Sequence, residues 1–246
     1  MTYPPRTAPV ECDGHARRLG HRVLSPASSL RSPAVVAVLE RLRRLGVAED
    51  EPGKRRLQAR EAELGAKVYG AARAALYSGA PIAVASEVGE LLYVLAVGRR
   101  ARRIVEFGTS LGVSTIHLAA AVRDLGAGSV VTTELQPEKA ACARLNLAEA
   151  GLDDLVEIRE GDALETLRGG GGIDLLFLDG WNDLYLPVLR LLEPRLGAGA
   201  LVVADMSPDD PHLLAYREYV AAPGGGYASI EVPLDDGVVL SARTGG

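Results

Sequence analysis

Residues 173–206 read IDLLFLDGWNDLYLPVLRLLEPRLGAGALVVADM, and this stretch decides the fold. Its two ends, IDLLFLD and ALVVAD, are near-continuous apolar runs of strand length, closing on Asp179 and Asp205. A strand with one wet face alternates apolar and polar residues. Runs without alternation suit strands buried on both faces, as in a parallel sheet covered by helices. Between the two runs, residues 183–195 have helical spacing, which supplies the crossover that parallel strands require.

Working outward, the same alternation recurs. Strands are expected at 102–107, 129–134, 155–159, 173–178 and 200–205, with helices at about 112–125, 137–150 and 183–195. Downstream, YASIEVPL and GVVLSAR flank Asp235-Asp236-Gly237, and an Asp-Gly turn between apolar runs predicts an antiparallel hairpin at the sheet edge. The expected fold is therefore α/β: a doubly wound, Rossmann-like, mostly parallel seven-stranded sheet with a C-terminal antiparallel hairpin and extra N-terminal helices. Gly169–Gly172 precedes a strand instead of opening a helix, so it reads as a connection and not as a phosphate cradle.

Upstream, Ser32 and Pro33 suit the N-cap and first position of a helix with Val35, Val38, Leu39, Leu42 and Leu45 on one face. A second helix is expected over about 54–77, ending at the break Ser78-Gly79-Ala80-Pro81, and a third opens at Ser86. Residues 1–31 are rich in Pro, Arg, Ser and His without an apolar period, so they read as a flexible arm. The expected division is an arm at 1–31, a helical cap at 32–80 and a core at 81–246, one domain overall.

The length of 246 residues with 48% hydrophobic content suits one core of that size, and the formal charge of -5 argues against nucleic acid as a partner. No apolar run approaches the roughly 20 residues that span a bilayer, and the first residues lack a signal-peptide pattern. The expectation is a cytoplasmic protein with a small-molecule partner and no membrane contact. Cys12 and Cys142 are too few for a disulfide framework and are expected as free thiols.

The first strand runs into VEFGTSLGVST (105–115), where Gly108 and Gly112 flank a turn entering a helix. Glycine there lets a ligand lie across the strand end, although a plain tight turn has the same form. The three residues between the glycines depart from the G-x-G-x-x-G pattern, which weighs against NAD or FAD. The next strand ends in Glu134, whose carboxylate could accept hydrogen bonds from both ribose hydroxyls, a solvated charge being the alternative. After the third strand, Asp162 in Glu160-Gly161-Asp162-Ala163 suits an exocyclic amine, a helix cap, or both.

The order of these pieces over about residues 81–243 resembles the class I S-adenosylmethionine-dependent methyltransferases. More narrowly, residues 173–206 look like catechol O-methyltransferase and the related cation-dependent O-methyltransferases, whose segment reads Leu-Asp-His-Trp-Lys-Asp-x-Tyr-Leu-Pro and ends in Ala-Asp-Asn. The matching positions are Leu178, Asp179, Trp181, Asp183, Tyr185, Leu186 and Pro187. The resemblance implies S-adenosylmethionine as cofactor, with Glu106, Gly108, Ser110, Gly112 and Ser114 around it and Glu134 on the ribose. Asp162, Ala163 and Trp181 would then lie near the adenine, and Ala83 to Ser86 near the methionine portion. It also implies methyl transfer to a small molecule, most simply to a hydroxyl of a phenolic or secondary metabolite. Nitrogen or carbon methylation, or a binding protein that no longer methylates, are the alternatives.

Two family groups are altered. The family's divalent cation would be held by Asp179, Asp205 and the position occupied here by Met206, and a thioether is a poor ligand for Mg²⁺. The family's catalytic Lys falls on Asn182, which cannot remove a proton at neutral pH. Either Asp183, Asp209 or Asp210 helps hold a cation, or the site is metal-independent, and the second reading is preferred. Asp179, Asn182 and His212 are the candidate catalytic residues, His212 because it follows the strand tip that carries Asp205. His117, on a helix without a neighbouring His or Cys, is read as a packing residue. The apolar faces of the two leading helices are consistent with a homodimer.

Overall fold

The computed structural model describes residues 28–76, 84–206 and 210–245. Two helices lead, α1 (Pro33–Leu64) and α2 (Gly70–Leu76), followed by α3 (Ser86–Arg99). The repeating part runs β1 (Arg103–Phe107), α4 (Val113–Leu125), β2 (Ser129–Glu134), α5 (Pro137–Ala150), β3 (Val156–Glu160), α6 (Ala163–Thr166), β4 (Ile173–Leu178), α7 (Tyr185–Leu192) and β5 (Leu196–Asp205). It ends with α8 (His212–Ala221), β6 (Tyr227–Val232) and β7 (Val238–Arg243).

One seven-stranded sheet has the order β3-β2-β1-β4-β5-β7-β6. The first five strands are parallel, and the hairpin adds β7 antiparallel to β5 with β6 at the edge. Successive residues of the central strands face opposite cores. Leu175 and Phe177 pack with α3 and α4 residues such as Leu92 and Ile116, while Leu176 and Leu178 pack with α7 and α8 residues such as Leu189 and Leu213. All four of these β4 side chains are fully buried, which explains the unbroken apolar run in the sequence.

The chain winds outward from β1 to β3 and then returns to β4 on the other side of β1. Crossovers leave in opposite directions at such a reversal and open a crevice beyond the carboxyl ends of the strands. The register levels those ends: Phe107 pairs with both Thr133 and Leu178, and Leu178 pairs with Ala204. Gly108, Glu134, Asp179 and Asp205 therefore come to one rim.

The N-terminal helices differ from expectation. The helices expected over 34–46 and 54–77 are one continuous α1 of 32 residues, followed by a separate short α2. Gly46 and Gly53 keep helical backbone, and the first left-handed glycine among the described residues is Gly65 at φ 62°, which is where α1 stops. Pro52 removes one intrahelical donor without ending the helix. Leu45, expected on the buried face, is exposed, whereas Val35, Val38 and Leu42 are buried. The crossover expected over 183–195 is a shorter α7 flanked by 3₁₀ turns, and β5 starts at Leu196 instead of 200.

Of the expected arm, residues 28–31 are ordered. Ser29–Arg31 form a 3₁₀ turn, and the Ser29 N–H donates to Asp124 on α4 at 3.0 Å. The rest of the arm, Cys12, the 78–81 break and Ala83 lie outside the described residues. Cys142 is exposed and unpaired. Among the described residues, no helix is long and apolar enough to cross a membrane.

Candidate active site

A cavity of about 1080 Å³ lies over the strand tips, and its wall includes Gly108, Ser110, Glu134, Asp162, Ala163 and Asp179. Gly108 starts the turn after β1 at φ 104°, and a Cβ there would sit 2.5 Å from the Asp179 carbonyl oxygen. Only glycine fits, so β1 and β4 approach closely beneath the cleft floor. Ser110 follows at φ 47°, and its N–H donates to Glu134 Oε2 at 2.8 Å. The Gln136 N–H donates to Glu134 Oε1 at 2.9 Å. Glu134 is thus fixed by two backbone donors while still facing the cavity. Asn146 of α5 supports the turn from behind, donating Nδ2 to the Leu111 carbonyl at 2.9 Å.

Asp162 caps α6 through the Leu164 N–H at 2.8 Å and also lines the cavity, so the two sequence readings coexist. Ser86 and Trp181 line it as well. Glu106, Gly112 and Ser114 are not among the lining residues. Glu106 and Ser114 are buried, and Gly112 at φ 90° caps α4 against Ala143. The Glu106 carboxylate accepts the Thr115 hydroxyl at 2.5 Å, and burial pushes its pKa up to about 7. Its place is beneath the turn, supporting it.

The β4 and β5 side is different in kind. Asp179 and Asp205 leave adjacent strands at the same level and both line the cavity. Burial, then the charges of Asp205 and Glu106, hold the Asp179 pKa well above the usual carboxylate range. Burial, then Asp235 and Asp236, push Asp205 up to about 7. Asp205 Oδ1 is buried without a hydrogen-bond partner. Met206 is buried with its N–H on the Gly237 carbonyl at 3.0 Å.

Asn182 is buried and donates Nδ2 to Asp210 Oδ2 at 3.2 Å. His212 is not among the lining residues. Its N–H and its Nδ1 both meet Asp210 Oδ1 at 2.9 Å, and its ring lies edge-on to Tyr69 with centroids 4.5 Å apart. Gly180, where the resembled family has His, is glycine because Phe107 occupies that space: a Cβ would lie 2.3 Å from the Phe107 ring.

Several lining residues carried no signal in the sequence reading. Asp235 and Asp236 of the hairpin loop reach the Asp205 side of the cavity, although as a motif they read only as a turn. Leu39, Arg43 and Lys54 of α1 and Arg73 of α2 also reach it. His117 is both buried and cavity-lining, its Nδ1 on the Val113 carbonyl at 2.8 Å, and any Cβ at Gly89 would strike its ring at 2.6 Å. Burial lowers its pKa, which keeps the ring neutral.

A glycine turn, a fixed carboxylate on the next strand and a capping Asp on the third are gathered at the switch point of the sheet, where open α/β sheets bind their ligands. Residues 105–206 match the family described as "Methyltransferase domain". A catechol O-methyltransferase of Mycobacterium tuberculosis is 42% identical over 127 residues, covering 50% of this chain and 56% of that protein. A putative O-methyltransferase of a Mycobacterium species is 32% identical over 179 residues, covering 65% of this chain and 79% of that protein. Among solved structures, the O-methyltransferase TomG of Streptomyces achromogenes, in complex with S-adenosylmethionine, aligns with a TM-score of 0.59 at 28% identity over 83% of this chain and 99% of that one. The chain belongs to the class I S-adenosylmethionine-dependent O-methyltransferase family. It spans just over half the length of two bacterial catechol O-methyltransferases that it matches, 56% and 58%.

Proposed function

We propose that this chain binds S-adenosylmethionine and transfers its methyl group to a hydroxyl of a small molecule without a divalent cation. The observation that carries the reading is the coincidence, on one cavity wall, of Glu134, the glycine turn and the Asp179–Asp205 pair. The residues fit the cofactor. Gly108 lets the end of β1 meet the Asp179 backbone under the cavity, Ser110 Oγ is buried without a partner, and Glu134 is preset by two N–H groups. When bound, the cofactor supplies a methyl on a sulfonium, already activated for transfer to a nucleophile.

The chain's own residues then have separate tasks. Glu134 accepts the ribose hydroxyls, and Asp162 with Ala163 borders the base. The walls hold an acceptor hydroxyl in line, which supplies most of the acceleration open to such a reaction. The hydroxyl proton passes to the Asp179–Asp205 pair, because a carboxylate raised to about 7 at Asp205 is matched to proton uptake near neutral pH. Asn182, engaged by Asp210, orients the wall instead of acting as a base. The donor set does not suit Mg²⁺: Met206 offers sulfur where oxygen is needed.

The test is methyl transfer from labelled S-adenosylmethionine to catechols and phenols, with and without EDTA. Transfer that is unchanged by the chelator is expected. Activity abolished by EDTA and restored by Mg²⁺ would overturn the metal-free reading, and cofactor binding without any turnover would overturn the enzymatic one.

A further inference from the structure

Arg73 is the guanidinium that α2 contributes to the cavity wall. It lies 5.9 Å from the Trp181 ring centre, and its Nη1 is 4.0 Å from Asp210 Oδ2, beyond hydrogen-bond reach. Asp210 is already occupied, since His212 fills Oδ1 with two donors and Asn182 donates to Oδ2. Arg73 Nε is buried without a partner. A guanidinium is planar and permanently charged, with five N–H donors in a fixed fork, and leaving a buried donor unsatisfied costs about 1–3 kcal/mol. Charge therefore holds this fork near Asp210, with Glu61 the other acid that feels it, while Nε is left without an acceptor.

Its place relative to Glu134 is set by the sheet. Asn182 and Asp210 follow β4 and β5, whereas Glu134 ends β2, and the order β2-β1-β4-β5 separates β2 from β5 by three strand spacings, roughly 14 Å. The other cations lining the cavity, Arg43, Lys54 and Lys139, belong to α1 and α5. Asp179, Asp205, Asp235 and Asp236 occupy the strand tips and the hairpin loop. Resting on the methyl-transfer reading above, we infer that Arg73 binds a carboxylate carried by the acceptor, so that the substrate class is a small hydroxylated carboxylic acid. The carboxylate pairs with the arginine fork, and the molecule is thereby oriented with its hydroxyl toward Asp179 and Asp205. A bidentate pair of this kind is the geometry for which arginine surpasses lysine.

The test is calorimetric titration of the full chain with 3,4-dihydroxybenzoate, catechol and dopamine, with and without S-adenosylhomocysteine, in wild type, Arg73→Met and Arg73→Lys. In wild type the benzoate is expected to bind about tenfold or more tighter than the neutral and cationic probes. Arg73→Met should abolish that preference and Arg73→Lys should keep part of it, and in turnover the loss should fall on KM for the acid and leave kcat nearly unchanged. Equal binding of the three probes, or a preference that survives Arg73→Met, would overturn the inference. So would equal weakening of all three, which is the signature of an arginine that only docks α2. Binding of S-adenosylhomocysteine itself, read in the same experiment, reports separately on the methyltransferase reading.

Discussion

On the β2 side of β1, the carboxylate at the cleft is held by backbone: Glu134 takes two N–H groups, Asp162 caps α6, and Asn146 holds the Leu111 carbonyl, while Ser110 Oγ and Glu106 Oε1 are buried without partners. On the β4 and β5 side, Asp205 Oδ1 and Arg73 Nε have none, and neighbouring carboxylates raise one another's pKa. A site whose own hydrogen bonds hold its shape is preset for one ligand. Spare buried donors and acceptors mark a wall that a ligand must complete. On the function proposed above, the first side takes the cofactor and the second the acceptor.

The change that should damage this arrangement most is Gly108→Ala, because it joins the two sides. Its Cβ would lie 2.5 Å from the Asp179 carbonyl at φ 104°, so backbone strain and overlap add. Urea denaturation is expected to report a loss of roughly 3 kcal/mol or more, and an unchanged midpoint would mean that β1 and β4 do not meet as described.

A smaller effect is expected from Glu106→Gln. Burial raises the folded-state pKa of Glu106 to about 7 from 4.5, so its contribution is fully present below about pH 4.5 and is lost as pH rises to 7. Keeping it buried above that range costs on the order of 3 kcal/mol. The amide can still accept from Thr115 without the charge, so the variant should melt several degrees higher than wild type at pH 8 and nearly level with it at pH 4.5. A gap that does not widen with pH would show that Glu106 is not held in a low-dielectric site. Asp205→Asn should give the same sign with a smaller amplitude, since Asp205 is partly exposed and solvent screens the burial and the Asp235 and Asp236 charges that raise it.

The fold was legible because doubly buried strands leave an unmistakable run such as IDLLFLD, and because the Asp-Gly turn marks the hairpin. The convergence of Gly108, Glu134 and Asp162 on one cavity was legible for a related reason: each follows or ends a strand whose position the apolar pattern gives. The continuity of α1 was not, since Gly46 and Gly53 signal a break locally while packing of Val35, Val38 and Leu42 holds the rod to the core. Phe107 filling the space beside Gly180, and the arrival of Arg73, Asp235 and Asp236 at one wall, are tertiary juxtapositions with no local periodicity to announce them. Sequence pattern locates strand ends, and only the assembled sheet says which loops converge above them.

Titrating S-adenosylhomocysteine into wild type and Glu134→Ala by calorimetry bears most directly on all of this. Losing an ionised acceptor for two hydroxyls and the clamp on the Ser110 N–H should weaken binding by about thirtyfold or more, with the circular-dichroism spectrum retained. Equal affinity in the two proteins would contradict the assignment of the glycine turn and Glu134 to the cofactor.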